Sequence, residues 1–266
     1  MVNFTLKGNH MNIKIFLFIL LIGLSACGGE RKKNHIIANI PEASGICYNE
    51  FTRKLYVVSD RGSVYELTKK GKIVRKKHIG NYDLEGIACD LKNNRLIAIE
   101  EGNDNILIIN PKTLNVEKKI SVKRSYNGKK ILVKDKEFGL EGITLDAEGN
   151  IYISNQSYRK YPQKDPSVII LIKDLNHKKT PILSLIDPGP KDIAGLFYKN
   201  GNIYMVSDSN NKLYKYNLKK QKIDFVVKLP KFAQEGIAFD DDGHIYFAND
   251  NGSVLKYKTK KFGLRN

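Results

Sequence analysis

Three glutamates, Glu85, Glu141 and Glu235, each stand immediately before a glycine that opens an apolar strand-like run. Ser44 and Ala194 hold the same place in two further runs, and Asp192 lies close to the second. A second set of oxygen-bearing residues closes the run that follows each: Asp60, Glu101, Asn155, Asp208 and Asn249/Asp250. Carboxylates and amide oxygens brought to one place suit a hard divalent cation such as Ca²⁺, which takes six to eight oxygen ligands. Carboxylates forced together without a cation raise one another's pKa. Glu85, Glu141, Glu235, Asn155 and Asp208 are therefore the candidate metal ligands. Asp60, Arg61, Glu101 and Arg159 are candidate contacts for a ligand at the same mouth. The alternative is that each glutamate only caps backbone N–H groups and fixes the start of its strand.

The pattern argues less for catalysis. His35, His78, His177 and His244 fall outside these positions. The sequence has no Gly-x-Ser-x-Gly elbow, no metal-binding His pair and no defensible Ser/His/Asp set. A hydrolase would have to use metal-activated water, with Arg61 and Arg159/Lys160 holding an anionic substrate. The alternative to a ligand-binding or partner-binding protein is thus a metal-dependent phosphoester or lactone hydrolase.

What must position these residues is an internal repeat. Gly45, Gly86, Gly142, Gly195 and Gly236 are 41, 56, 53 and 41 residues apart. Each begins a strand, a tight Asn/Asp/Gly turn and a second strand, the mark of a hairpin. A third strand follows, as in Val64–Leu67 or Val254–Tyr257, and a fourth precedes the next unit, as in Lys222–Pro230. Repeats of this period with four antiparallel strands point to a β-propeller. Five blades are expected, with six as the alternative because two intervals are long. The extra residues are read as loops, Ser121–Lys136 and Gln156–Ser167, and the second should overhang the mouth. Residues 35–41 match the register of a fourth strand, so the N-terminal strand should complete the last blade and close the ring. In a hairpin the start of one strand and the end of the next share an edge, which would gather the oxygen-rich positions at one face. The turn carboxylates of the opposite edge, such as Asp241 and Asp242, read as turn chemistry alone.

The N-terminus has a charged stretch at Met11–Lys14, an apolar run Ile15–Leu24 and then Leu24-Ser25-Ala26-Cys27. A short apolar run ending at a small-residue site reads as a secretory signal. The cysteine after Leu-Ser-Ala resembles a bacterial lipobox, which makes Cys27 the expected lipid anchor. Residues 1–27 are then a lipoprotein signal (its true start at Met11), 28–34 a tether and 35–266 the propeller. The expected place is the cell envelope, membrane-anchored through the lipid, on the plasma or outer membrane. The net charge of +17 comes from lysines scattered through turns and outer strands. That excludes a focused nucleic-acid face and suits an anionic lipid surface. A monomer is expected, with an unidentified small ligand or envelope protein as partner. Cys47 and Cys89 are offset by one position from their glycines, so alternation points them to opposite faces. Two free thiols are expected in place of a disulfide.

The runs Pro41–Ile46, Tyr56–Asp60, Asp83–Ala88, Phe138–Ile143, Asp192–Leu196 and Gln234–Ala238 resemble the SdiA-regulated proteins (the YjiK/CarP family), bacterial cell-envelope β-propellers. The likeness extends over about residues 36–258. Glu-Gly-Ile with a following strand also occurs in NHL-type, gluconolactonase-like and phytase-like propellers. The resemblance implies a propeller at the membrane or in the periplasm, without an established reaction, connected with calcium responses and phytase-like architecture. It supplies no catalytic residues. Many relatives carry a plain membrane anchor, from which the lipobox here departs.

Overall fold

The computed structural model describes residues 35–134, 138–172 and 174–264. Cys27, the expected lipid anchor, lies outside the described residues. Five antiparallel sheets succeed one another along the chain as blades 1 to 5. Their inner strands are Ala43–Asn49, Leu84–Asp90, Leu140–Leu145, Leu196–Lys199 and Gln234–Phe239. Each inner strand pairs with the next strand of its own hairpin, and two further strands continue outwards. The N-terminal strand Ile36–Asn39 pairs with Ser253–Lys258 and supplies the outer strand of blade 5, so the first and last segments close the ring together. In blade 2 a short segment, Lys179–Thr180, adds a fifth strand parallel to Val116–Val122. The 121–136 region holds a small hairpin, Ser125–Tyr126 with Lys129–Lys130.

Burial explains the order of strands within a blade. The second strands are apolar on both faces: Leu96–Ile99 and Ile245–Ala248 are wholly buried. The outer strands, such as Lys222–Lys228 and Ile73–His78, alternate between half-buried and exposed residues, because one of their faces meets water. The hydrophobic core is not one mass. It consists of five clusters, and each spans the gap between two neighbouring blades. The blade 5–blade 1 cluster, with Ala38, Ile40, Tyr65 and Tyr246, is as thoroughly buried as the rest. Ring closure therefore contributes one blade interface of the five.

At the axis the inner strands touch through their glycines. A Cβ on Gly45, Gly86, Gly142, Gly195 or Gly236 would lie under 3.0 Å from the carbonyl oxygen of Glu85, Glu141, Ala194, Glu235 or Ser44 respectively. Each glycine thus meets the residue just before the next blade's glycine, and the series returns to its start. This close approach of backbone to backbone is the physical reason for the repeating glycine.

Cys47 and Cys89 form a disulfide, with Cα atoms 5.9 Å apart, which corrects the expectation of two free thiols. Alternation does point the two side chains to opposite faces of their own blades. In a ring, one face of blade 1 looks at the opposite face of blade 2, so opposite faces are what a cross-blade bridge requires. The bridge closes a span of 42 residues, for which chain entropy alone gives about 4 kcal/mol. Reduction, or Cys47→Ser, is expected to lower stability by about 3–4 kcal/mol. Thermal unfolding with and without reductant checks this, and Cys47→Ser should not respond to reductant.

Candidate functional site

Four of the five inner strands begin with a register irregularity. It falls between Ala43 and Gly45, Leu84 and Ile87, Leu140 and Ile143, and Gln234 and Gly236. A bulge re-aims the side chain it carries, and the bulged positions hold Ser44, Glu85, Glu141 and Glu235. The residue after each second strand then reaches back to the residue three before the glycine. Asp60 N–H donates to Glu42 O (3.3 Å), Glu101 to Asp83 O (2.9 Å), Gln156 to Gly139 O (2.7 Å) and Asp250 to Ala233 O (3.1 Å). In blade 4 Ser209 N–H donates to the Asp192 carboxylate at 2.7 Å. The repeat therefore delivers its acidic residues to one end of the axis.

The carboxylates feel one another there. Burial raises the Glu85 pKa first, with Glu101, Glu235, Asp83 and Asp60 adding to it. Glu141 is raised by burial and then by Glu85, Glu101 and Glu235. Glu235 is pushed up to about 8 by burial, then by Asp208, Asp192 and Asp250. Asp60 is pushed up to about 7 by burial and then by Glu42 and Asp250. Asp208 and Asp83 rise for the same first reason. Asp60 and Glu42, Asp83 and Glu85, and Glu101 and Glu141 influence one another's titration. Oxygens of Asp83, Glu85 and Glu101 all lie within 4.8 Å of one another. Asp60 Oδ1 and the Oε1 of fully buried Gln234 have no hydrogen-bond partner among the described residues. These hard, closely spaced oxygens fit the donor set of Ca²⁺.

The other proposed ligands divide. Glu85, Glu141, Glu235 and Asp208 belong to the connected set. Asn155 is buried and its Nδ2 donates to Pro166 O (2.9 Å) and Asp165 Oδ1 (3.3 Å), which fastens the base of the 156–167 loop. That loop carries Tyr158, whose phenol is raised first by Asp192 and then by burial, Asp208 and Glu235. Its ring stacks edge-on against Phe138 at 5.4 Å, so the loop overhangs the acidic mouth. Arg159 is exposed on the same loop. Arg61 is committed to an ion pair with Glu42, and with Asn81, Tyr82 and Asp83 the pair borders a small recess at the mouth. Glu42 and Asp83 were not among the candidate ligands. Their signal was an acidic residue three before the glycine, which recurs at Asp192.

A second close group, Asp240, Asp242 and His244, sits at the opposite end. Its acids already have cationic partners. Lys69 Nζ lies 3.4 Å from Asp240 and 2.8 Å from Asp241 and also pairs with Asp242, while Arg53 pairs with Asp241 and Asp242. Tyr246 OH donates to Asp240 at 2.9 Å. At the mouth, Arg61 pairs with Glu42, Arg124 with Asp104, and Lys231 lies near Asp208. Among the described residues no helix is long and apolar enough to cross a membrane.

A family model described as SdiA-regulated matches residues 30–251. No curated protein matches. Among solved structures, the glutaminyl cyclase of Myxococcus xanthus is similar over 84% of this chain and 92% of its own, at 13% identity and a TM-score of 0.63. A streptogramin B lyase is similar over 83% of this chain and 70% of its own, at 14% identity and a TM-score of 0.48. At such identities the first likeness is one of fold alone.

Proposed function

We propose that this chain, which belongs to the SdiA-regulated family, is an envelope propeller that binds a divalent cation, Ca²⁺ by its chemistry, at the acidic mouth. The observation that carries this reading is the oxygens of Asp83, Glu85 and Glu101, all within 4.8 Å of one another at one end of the ring, beside the buried Glu141, in a protein of net charge +17. Carboxylates held this close require either protons or a cation. A cation would replace the protons and leave outward coordination positions for a ligand or partner beneath the 156–167 loop. Cys27 would hold the domain at the membrane as a lipoprotein. The Cys47–Cys89 bridge supports an oxidising compartment, since disulfides persist mainly outside the cytosol.

The test is Ca²⁺ titration of chelator-stripped protein. Binding tighter than about 100 μM is expected, and at a hundredfold excess over Kd it should stabilise the fold by about 2.7 kcal/mol. Glu85→Gln combined with Glu101→Gln should weaken binding about tenfold or more. Glu50→Gln, on the opposite face, should leave it unchanged. Equal affinity in the double variant would overturn the reading.

A further inference from the structure

The end of the ring away from the acidic mouth carries, in each blade, the turn from first to second strand and the turn that follows the third strand. In blades 4, 5 and 1, which are neighbours in the closed ring, these turns and the residues flanking them hold twelve Lys and Arg against four acids. The acids are Glu50, Asp240, Asp241 and Asp242, and the last three share Lys69 and Arg53. Lys220 pairs with Asp224 just beyond its turn. Nine cations are left without an acidic partner among the described residues, and seven of them are exposed. They are Lys70 and Lys72 in blade 1, Lys219 and Lys222 in blade 4, and Lys258, Lys260 and Lys261 in blade 5. Lys256 Nζ donates to Lys69 O at 3.0 Å, which ties the blade 5 and blade 1 parts together, and Phe262 shares a cluster with Phe225 of blade 4. Blade 3, across the ring, has Asp146, Glu148 and Asp174 at this end, so the charge is one-sided. Lysines that look scattered along the sequence are gathered by the ring into one sector.

The path of the chain indicates what this sector faces. Ile36–Asn39 runs antiparallel to Ser253–Lys258, so the described chain begins at the basic end. His35 is held there. Its O accepts from Lys256 N–H at 2.8 Å, its ring lies 4.0 Å from that of Tyr257, and Lys261 Nζ stands 3.5 Å from its Nε2. Cys27 precedes it by eight residues, a stretch that spans at most about 28 Å. A lipid on Cys27 would therefore keep this end, and not the mouth, close to the headgroups. Each Lys or Arg near an anionic bilayer surface adds attraction that fades within a Debye length. Phe51 projects at the same end, 75% exposed, and gains hydrophobic free energy when its ring leaves water. We propose that the basic sector of blades 4, 5 and 1 docks on the anionic phospholipid headgroups of a membrane and so turns the acidic mouth away from the bilayer. The proposal rests on the preceding reading only for the lipid on Cys27; the charge pattern stands without it.

The chain contains no tryptophan, so a single one reports its own surroundings. Lys219→Trp places it at the basic end of blade 4 and Ser209→Trp at the mouth of the same blade, both at exposed positions. The full protein is reconstituted with vesicles of phosphatidylcholine, with or without phosphatidylglycerol, that carry a nitroxide on some headgroups. With phosphatidylglycerol, fluorescence of the Lys219→Trp variant should be quenched and that of the Ser209→Trp variant should not. The quenching should be lost in phosphatidylcholine alone and in 1 M salt, where the Debye length is about 3 Å. Adding Lys70→Glu, Lys258→Glu and Lys260→Glu should abolish it as well; if that variant fails to fold, lipid composition and salt decide. Failure to float with phosphatidylcholine vesicles would refute the lipid on Cys27 and leave the docking to be read from phosphatidylglycerol. Equal quenching at the two ends, stronger quenching at the mouth, quenching that persists without phosphatidylglycerol, or no attachment to phosphatidylglycerol vesicles would overturn the proposal.

Discussion

Gly86→Ala and Gly142→Ala are each expected to cost about 3 kcal/mol or more, roughly 6–12 °C in unfolding midpoint for a domain of this size. The added methyl group would meet backbone. On Gly86 it would lie 2.8 Å from Ile143 N, and on Gly142 2.7 Å from Leu196 N, besides the carbonyl oxygens already named. Neither neighbour is a flexible side-chain end, and each is fixed within an inner strand, so relief requires two blades to part. Their separation would open the buried cluster between them. Gly201→Ala is the control. It has nothing within 4 Å and a φ of 72°, so it bears only the left-handed backbone cost of about 1–2 kcal/mol. Thermal unfolding of the three variants checks the account. Equal losses at Gly86 and Gly201 would mean that the axis is not closed by backbone contact.

The second large effect is on pH dependence. Unfolded carboxyls titrate near pH 4, whereas Glu235 and Asp60 in the folded chain titrate near 8 and 7. Below about pH 4 both states are protonated and these groups contribute no slope. Between about pH 4 and 8 the folded state holds more protons than the unfolded state, so stability falls as pH rises. The loss is complete once the pH has passed the folded values. After allowance for solvent screening, Glu235 alone represents about 3 kcal/mol, or roughly 6–12 °C between pH 5 and pH 9. Groups held low, such as Glu100 with its Lys119 partner or Asp240 with its hydrogen bonds from His244 and Tyr246, act in the opposite sense only at lower pH. Metal-free protein should therefore be most stable near pH 4–5, and saturating Ca²⁺ should flatten the decline above it. A metal-free midpoint that rises from pH 5 to pH 8 would contradict the raised carboxyls.

The architecture was legible because the repeat writes the same instruction five times. Each unit pairs a glycine that only backbone contact can explain with a hairpin whose strands are buried to different depths. Ring closure by Ile36–Asn39 followed from a matching register at the two ends of the chain. The disulfide was missed because alternation was applied to one blade, and the relevant neighbour belonged to the next. Glu42 and Asp83 do not stand out in the sequence, because they lie three residues before the glycine and not beside it. The return hydrogen bonds from Asp60 and Glu101 bring the residue three before it to the same edge. The apolar funnel at the other end of the ring, lined by Ile46, Ile87, Ile143, Leu196 and Ile237, is illegible in the sequence for a similar reason. Its floor consists of residues that read as core in any one strand, and only five of them around an axis make a surface. Asn155 illustrates the limit of spacing. It sits where the repeat places an oxygen donor, yet its amide is spent on the loop beside it.

The most direct measurement is calorimetric titration of Ca²⁺ at pH 7 in two buffers of different ionisation enthalpy. If a cation displaces protons from the raised carboxyls of the mouth, binding at pH 7 will release protons, and the apparent heat will differ between the buffers. The release should shrink by pH 9, above the values near 8 and 7 for Glu235 and Asp60. It should also shrink in Glu85→Gln/Glu101→Gln. Absence of binding heat in both buffers, or binding heats that are identical in the two, would contradict a proton-for-cation exchange at the acidic mouth.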